Sequence, residues 1–243
     1  MCVLFNVAAS CTEVAGVQQL DQEDGLKTAA KLYQLAAGAF TYIRDSSLTT
    51  TRNDCTSDLF PETLTCLISL MLAQAQEIFY YKAIKDKMRE LIISKLAAQC
   101  SDFYADALKA IQHESLKDIQ KTWLALVAGK QALYHAMSEY HKAEHENNEK
   151  NIGEALTRYG KALELLKVAE QRGGKEFSVK QQLTVVQTAY DKAKKENDYV
   201  YHERVPDYKN LGPIERAALA KVTPIKFPIS DDFRGFYIFD LMK

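Results

Sequence analysis

Four of the five prolines, Pro206, Pro213, Pro224 and Pro228, fall in the last 38 of 243 residues, and the preceding 205 hold only Pro61. Proline breaks helix interiors and sheet ladders alike, so long regular elements are confined to the part before Pro206. Only ten glycines in the whole chain, and an abundance of Ala, Leu, Lys, Glu and Gln, make that part helical rather than sheet-forming. The sequence therefore predicts an all-α array over residues 1–205 and an extended, proline-containing tail over residues 206–243, large enough together to bury a sizeable core.

Apolar periodicity places the helices. Cys2 to Gln19 reads as a helix with no capping residue before it, as expected of a chain that begins inside a domain. Asp21 to Asp24 supply an acidic first turn for a second helix reaching about Arg44, and a polar loop follows from Asp45 to Asp58. Pro61 and Glu62 open a third, with Leu64, Leu67, Ile68, Met71, Ala75 and Ile78 on one stripe, ending near Lys85. Ser115 to about Arg172 is helical, as one element or as two joined at Asn147 and Asn148, and Gly173–Gly174 precede a last helix from about Ser178 to Tyr201. In the tail, a short helix is expected at Ile214 to Ala220, and Val222, Ile225, Phe227, Ile229, Phe233, Phe236, Tyr237 and Phe239 are expected to pack on the helices.

The helix from about Asp86 to Gln112 carries two apolar stripes. Ile93, Ala97, Cys100, Tyr104, Ala107, Leu108 and Ile111 form the main one, and Met88, Ile92, Leu96 and Phe103 lie about 100° around the axis. One face can pack on a core while Ile92 and Leu96 point elsewhere. Lys82, Lys85, Lys87 and Lys95 flank that second stripe, interleaved with Asp86 and Glu90. An ordinary solvated face is the bland reading. An apolar strip with basic borders also suits an amphipathic, acidic partner helix laid into a groove.

Ala29-x3-Tyr33-x2-Ala36 and Ala155-x3-Tyr159-x2-Ala162 share the small-aromatic-small spacing of tetratricopeptide helices without that family's regular period. They support stacked helical hairpins. The uncharged run Thr63 to Gln76 is too short to span a bilayer. A net charge of −1 argues against commitment to nucleic acid, and leaves at most peripheral membrane association. Cys2, Cys11, Cys55, Cys66 and Cys100 lack paired spacing and mostly sit in apolar helical patterns, as buried thiols of a cytoplasmic protein would.

Catalytic motifs are thin. His141-Lys142-Ala143-Glu144-His145 fits an H-x-x-E-H zinc-peptidase pattern, with two imidazoles one turn apart. It borders the polar run Glu144 to Lys150, so a solvated helix face is the expectation, with no metal or other cofactor. No phosphate-binding glycine loop occurs, and the chain reads as a non-enzymatic module.

Several runs together resemble the BRO domain of the ALIX family: Cys2-Val3-Leu4-Phe5-Asn6, Asp24-Gly25-Leu26-Lys27, Gly38-Ala39-Phe40, Met71 to Glu77, and Asp191 to Pro206, with Thr223-Pro224 and Pro228-Ile229 in the tail. The resemblance implies a boomerang-shaped, tetratricopeptide-like domain, present here in part because the family has a further N-terminal portion. The ending, Arg234 to Lys243, departs from the family. It also implies an adaptor that binds the C-terminal amphipathic helix of an ESCRT-III subunit of the Snf-seven class, in endosomal sorting, membrane scission and budding. Its apolar contacts fall on Phe79, Ile92 and Leu96, with Lys27 and Lys82 as charged neighbours. Tyr201 matches a tyrosine offered to a kinase adaptor, although its place where the last helix meets the tail also suits a buried anchor. Rhophilin-type scaffolds of small-GTPase and cytoskeletal signalling carry the same domain and are the alternative parent, with a His-domain tyrosine phosphatase as a third.

Overall fold

The computed structural model describes residues 2–47, 56–112, 120–175 and 177–225. Seven α-helices account for most of them: α1 Cys2–Gly16, α2 Glu23–Ser47, α3 Pro61–Lys85, α4 Glu90–Ile111, α5 Gln120–Asn148, α6 Ile152–Arg172 and α7 Lys180–Glu196. Among the described residues there is no strand. Each helix packs mainly on its neighbours in sequence, giving a linear stack of antiparallel hairpins.

The turns follow from local chemistry. Pro61 sits in the first turn of α3, where its missing N–H costs nothing. Between α3 and α4, Lys87 takes a left-handed φ of 51° and Met88 N–H reaches back to Ala83 O at 3.0 Å. Between α5 and α6, Lys150 (φ 69°) and the Asn151 N–H to Glu146 O bond at 2.9 Å repeat that closure. The long helical stretch after Ser115 is thus two elements broken at Asn148, one of the junction residues.

Two apolar clusters hold the stack. The larger joins α1 to α5, and the smaller joins α5, α6 and α7. Alanines at 0% exposure, such as Ala29, Ala36, Ala73, Ala97, Ala155 and Ala162, let the helix axes approach closely. Both small-aromatic-small motifs are buried throughout, with Tyr33 at 7% and Tyr159 at 1%.

The described tail, residues 201–225, recrosses the array. Tyr208 donates to Glu139 Oε1 at 2.6 Å, and Arg158, 2% exposed on α6, donates to Gly212 O at 2.9 Å while pairing with Glu139 and Glu154. The tail then passes α4 at Lys95 and Asp102, α3 at Gln76 and α2 at Gln34. Gly38 is required where it arrives, since a Cβ there would lie 1.8 Å from Thr223 O.

The expected helix at Ile214 to Ala220 does not form. Its residues stay extended, and the less exposed positions Leu211, Ile214, Ala217 and Ala220 recur every third residue, the period of polyproline II. The local propensity of Glu215 to Ala220 is overridden because the backbone groups bond to α3 and α4 instead. The packing expected of Phe227, Ile229, Phe233, Phe236, Tyr237 and Phe239, the site of Pro228, the ending Arg234 to Lys243 and Cys55 lie outside the described residues.

Candidate partner-binding groove

The first half of α2, the second half of α3 and the start of α4 share one face, bordered by the tail. At its charged edge, Glu23 accepts from Lys27 at 2.8 Å and lies 3.9 Å from Lys82, which also reaches Asp86 at 2.8 Å. Sequence reasoning singled out Lys27 and Lys82. It noted Asp86 among those lysines and Glu23 within the acidic first turn of α2 without taking either as a site residue. Hydrogen bonding and charge from Lys27 hold the Glu23 carboxyl below its ordinary range, and Glu23 in turn raises Lys27. Both are fully exposed, so the cluster is an electrostatic feature rather than a source of stability.

The apolar part centres on the α3–α4 turn. Ile84, Met88 and Ile92 are exposed at 40, 42 and 40%. Phe79 is half-buried against the larger core cluster. Ile93, Ala97, Cys100 and Tyr104 are buried at 3% or less, as the main stripe requires.

Leu96 departs from the expectation. It is 2% exposed and belongs to the core, so it does not point away from it beside Ile92. The helix periodicity is as read, but the surroundings of α4 differ. The tail lies along this side, with Ala217 N–H bonded to Lys95 O at 3.2 Å, Glu215 paired with Lys95, and Arg216 paired with Asp102 at 2.9 Å. Leu96 thus offers almost no surface to a partner, whereas Ile92 does. The tail also brings Leu219, 51% exposed, beside Gln76 of α3, a position the sequence did not single out.

Tyr201 is not part of this face. It ends a single π-helical turn, Asn197–Tyr201, closed by His202 at φ 54° and by Asn197, whose side chain bonds both N–H and C=O of Glu203. Its ring is half-buried on the α5–α7 cluster, with Lys150 Nζ 5.9 Å from the ring centre. Asp198, Tyr199 and Val200 are the exposed side chains of the turn, the last two at 77 and 67%.

His141 is a correction. The polar run after it suggested a solvated face, yet it is 7% exposed between α3, α4 and α5. Its Nδ1 lies 2.6 Å from Glu90 Oε2 and its Nε2 3.1 Å from Tyr80 Oη, so both ring nitrogens are engaged in packing the array. Glu144 accepts from Tyr159 at 2.6 Å. Among the described residues no cluster of three His, Cys, Asp or Glu could hold a metal, and no helix is long and apolar enough to cross a membrane. The cysteines also divide, with Cys66 and Cys100 buried, Cys11 half-buried and Cys2 exposed.

A cavity of about 540 Å³ opens elsewhere, among α1 to α5, past Phe5, Tyr33, Met71, Tyr104, Trp123 and Lys130. None of the expected site residues lines it. Its cation, Lys130, is already paired with Glu77 at 2.8 Å, and Tyr104 donates to the same carboxylate.

The family model of the BRO1-like domain matches residues 1–236. Programmed cell death 6-interacting protein of Mus musculus is 42% identical over 236 residues, covering 97% of this chain and 27% of that protein. Vacuolar protein-sorting protein BRO1 of Gibberella zeae is 32% identical over 243 residues, covering 92% of this chain and 24% of that protein. The chain thus spans about a quarter of the length of these relatives. The solved ALIX BRO1 CHMP4C complex superposes with a TM-score of 0.88 at 42% identity, over 94% of this chain and 64% of that one.

Proposed function

Because the chain belongs to the BRO1-like domain family, we propose that it is a non-enzymatic adaptor module, one partial BRO domain, whose α2–α3–α4 face binds the C-terminal amphipathic helix of an ESCRT-III subunit of the Snf-seven class. The carrying observation is Ile92, 40% exposed beside the buried Ile93 at the start of α4, just after the α3 half that carries the half-buried Phe79 and the charged Lys82, which pairs with Asp86. A large aliphatic left wet at a helix turn, with apolar neighbours Ile84 and Met88, is the kind of surface that a partner helix covers. The solved complex of a similar domain, ALIX BRO1 with CHMP4C, supports the same reading.

Burying Ile92 and the exposed part of Phe79 would gain about 1.5–3 kcal/mol per large side chain. After the costs of association and ordering, that suits weak recognition of roughly micromolar strength. Leu96 supplies the buried floor, Lys27 and Lys82 attract acidic residues of the partner, and Leu219 extends the rim. Such binding would recruit a cytoplasmic protein to endosomal membranes without any insertion of its own. Tyr201 would serve a separate phosphotyrosine contact with a kinase adaptor, which requires its ring to leave Lys150 and the α5–α7 cluster.

The test is a titration of the chain into a labelled peptide of an ESCRT-III C-terminal helix. Saturable micromolar binding is expected, and none to a scrambled peptide of the same composition. Equal binding of both peptides would overturn the assignment.

A further inference from the structure

We propose that Gln76 is a positioning residue of the partner groove, whose carboxamide seats the backbone of Ala217 to Ala220 and so makes the extended tail one wall of the surface that receives the partner helix. The proposal rests on the functional reading above.

An extended segment lying on helices has a problem that helices and sheets do not have. Its backbone N–H and C=O groups need partners that the segment cannot supply itself. Here one buried side chain supplies three of them. Gln76 is 0% exposed in the middle of α3. Its Nε2 donates to Ala217 O at 2.8 Å and to Leu96 O at 3.3 Å. Its Oε1 accepts from Leu219 N–H at 3.0 Å and from Ala220 N–H at 3.1 Å.

Both donors and both lone pairs of the carboxamide are therefore used. The arrangement also fixes which end is which, because the reverse orientation would set oxygen against two carbonyls and the amino group against two N–H donors. No other side chain of this length offers two donors and two acceptors. Glutamate would keep the bonds from Leu219 and Ala220 but lose both donations, and methionine would fill the space while leaving two N–H and a carbonyl of the tail unpaired.

Placement links this clamp to the groove. Gln76 lies one turn before Phe79 on α3, and its bond to Leu96 O ties it to the residue forming the groove floor on α4. The segment it holds carries Leu219 at 51% exposure, with Glu215 paired to Lys95. Beyond it, Gln34 of α2 repeats the device at the outer end, with its Oε1 accepting from Lys221 N–H at 3.1 Å and its backbone O from Thr223 N–H at 3.2 Å. Two glutamines on adjacent helices thus grip the tail in succession, and the inner one is the one bonded to Leu96 of α4.

The experiment combines amide hydrogen exchange with peptide titration on the full chain. In the unaltered protein, Leu219 and Ala220 amides are expected to exchange as slowly as interior amides of α3, although they lie in no helix. Exchange as fast as in a free peptide would overturn the proposal whatever any variant does. In Gln76→Met, a native helical circular dichroism spectrum is expected, with at least about tenfold faster exchange confined to residues 214–223 and about tenfold weaker binding of the ESCRT-III helix peptide. Gln34→Ala is the control, expected to loosen only residues 221–223 and to leave affinity unchanged. Unaltered affinity in a Gln76→Met protein with a loosened tail would show that the tail is not a wall of the groove. Should the unaltered chain bind no peptide, the functional reading fails, while the exchange arm still decides whether Gln76 seats the tail.

Discussion

Ile92 and Ile93 are adjacent in the chain and sit in different media, 40% exposed and 3% exposed respectively. The 100° step of the helix carries one from a solvent-facing rim to the interface between α3, α4 and α5. An aspartate at Ile93 would bury an unpaired carboxylate in a core whose neighbours Ala97 and Cys100 are at 0% exposure. Ile93→Asp is therefore expected to cost about 4 kcal/mol or more and to leave little folded protein. A melting curve close to that of the unaltered chain would contradict the packing.

Leu96 gives a sharper stability test, because helical periodicity alone groups it with Ile92. Its 2% exposure predicts that Leu96→Ala destabilises the domain by about 2–5 kcal/mol in chemical denaturation, where Ile92→Ala costs well under that. Equal, small effects at both positions would contradict the burial of Leu96.

At Gly38 the sign of a common substitution should reverse. In a helix interior Gly→Ala usually adds about 1 kcal/mol of stability. Here the new methyl would lie 1.8 Å from Thr223 O, so the tail must shift and release its bonds to Gln34. Gly38→Ala is expected to lower the melting temperature and to speed exchange at residues 221–223. A higher melting temperature would show that the tail is not seated there.

Pro61 and the Leu64-to-Ile78 stripe mark α3 in the sequence, and the Ile93, Ala97, Cys100, Tyr104 stripe marks the buried face of α4, because both signals are local and repeat at the helical period. The contacts that the tail makes beside Leu96 are not local, since Glu215 and Ala217, far along the chain, bond to its neighbour Lys95. The same segment reads as a short helix by propensity alone, but intrinsic propensity is a weak preference, and three hydrogen bonds with Gln76 together with the Ala217 N–H bond to Lys95 O outweigh it. His141 misleads for the same reason in reverse. Glu144 to Asn148 are the last residues of α5, and Glu149 and Lys150 the turn after it, beyond a histidine that α3 and α4 enclose. Family resemblance groups Phe79, Ile92, Leu96, Lys27 and Lys82 together, and the fold brings the two lysines to one carboxylate, Glu23.

Thiol labelling should follow burial. Cys2 is exposed, whereas burial pushes the Cys66 thiol up to about 11 and raises Cys100 well above its ordinary range. At pH 8 a maleimide or disulfide reagent is expected to modify Cys2 rapidly and to reach Cys66 and Cys100 only on unfolding. Rapid native-state labelling at Cys100 would indicate that α3 and α4 separate readily.

The charged edge of the groove should appear in salt dependence. Lys82 bridges Glu23 and Asp86 while remaining accessible. Lys82→Ala is expected to weaken peptide binding by several-fold at low salt and to flatten its ionic-strength dependence, with little change in the melting temperature. An unchanged salt slope would remove Lys82 from the interface.

The most direct measurement is the affinity of Ile92→Asp for the ESCRT-III C-terminal helix peptide, taken with its melting curve. The account predicts that binding falls below detection while the melting temperature stays within a few degrees of the unaltered chain, because a 40% exposed side chain holds little of the core together. Normal binding by a folded Ile92→Asp protein would contradict the groove assignment.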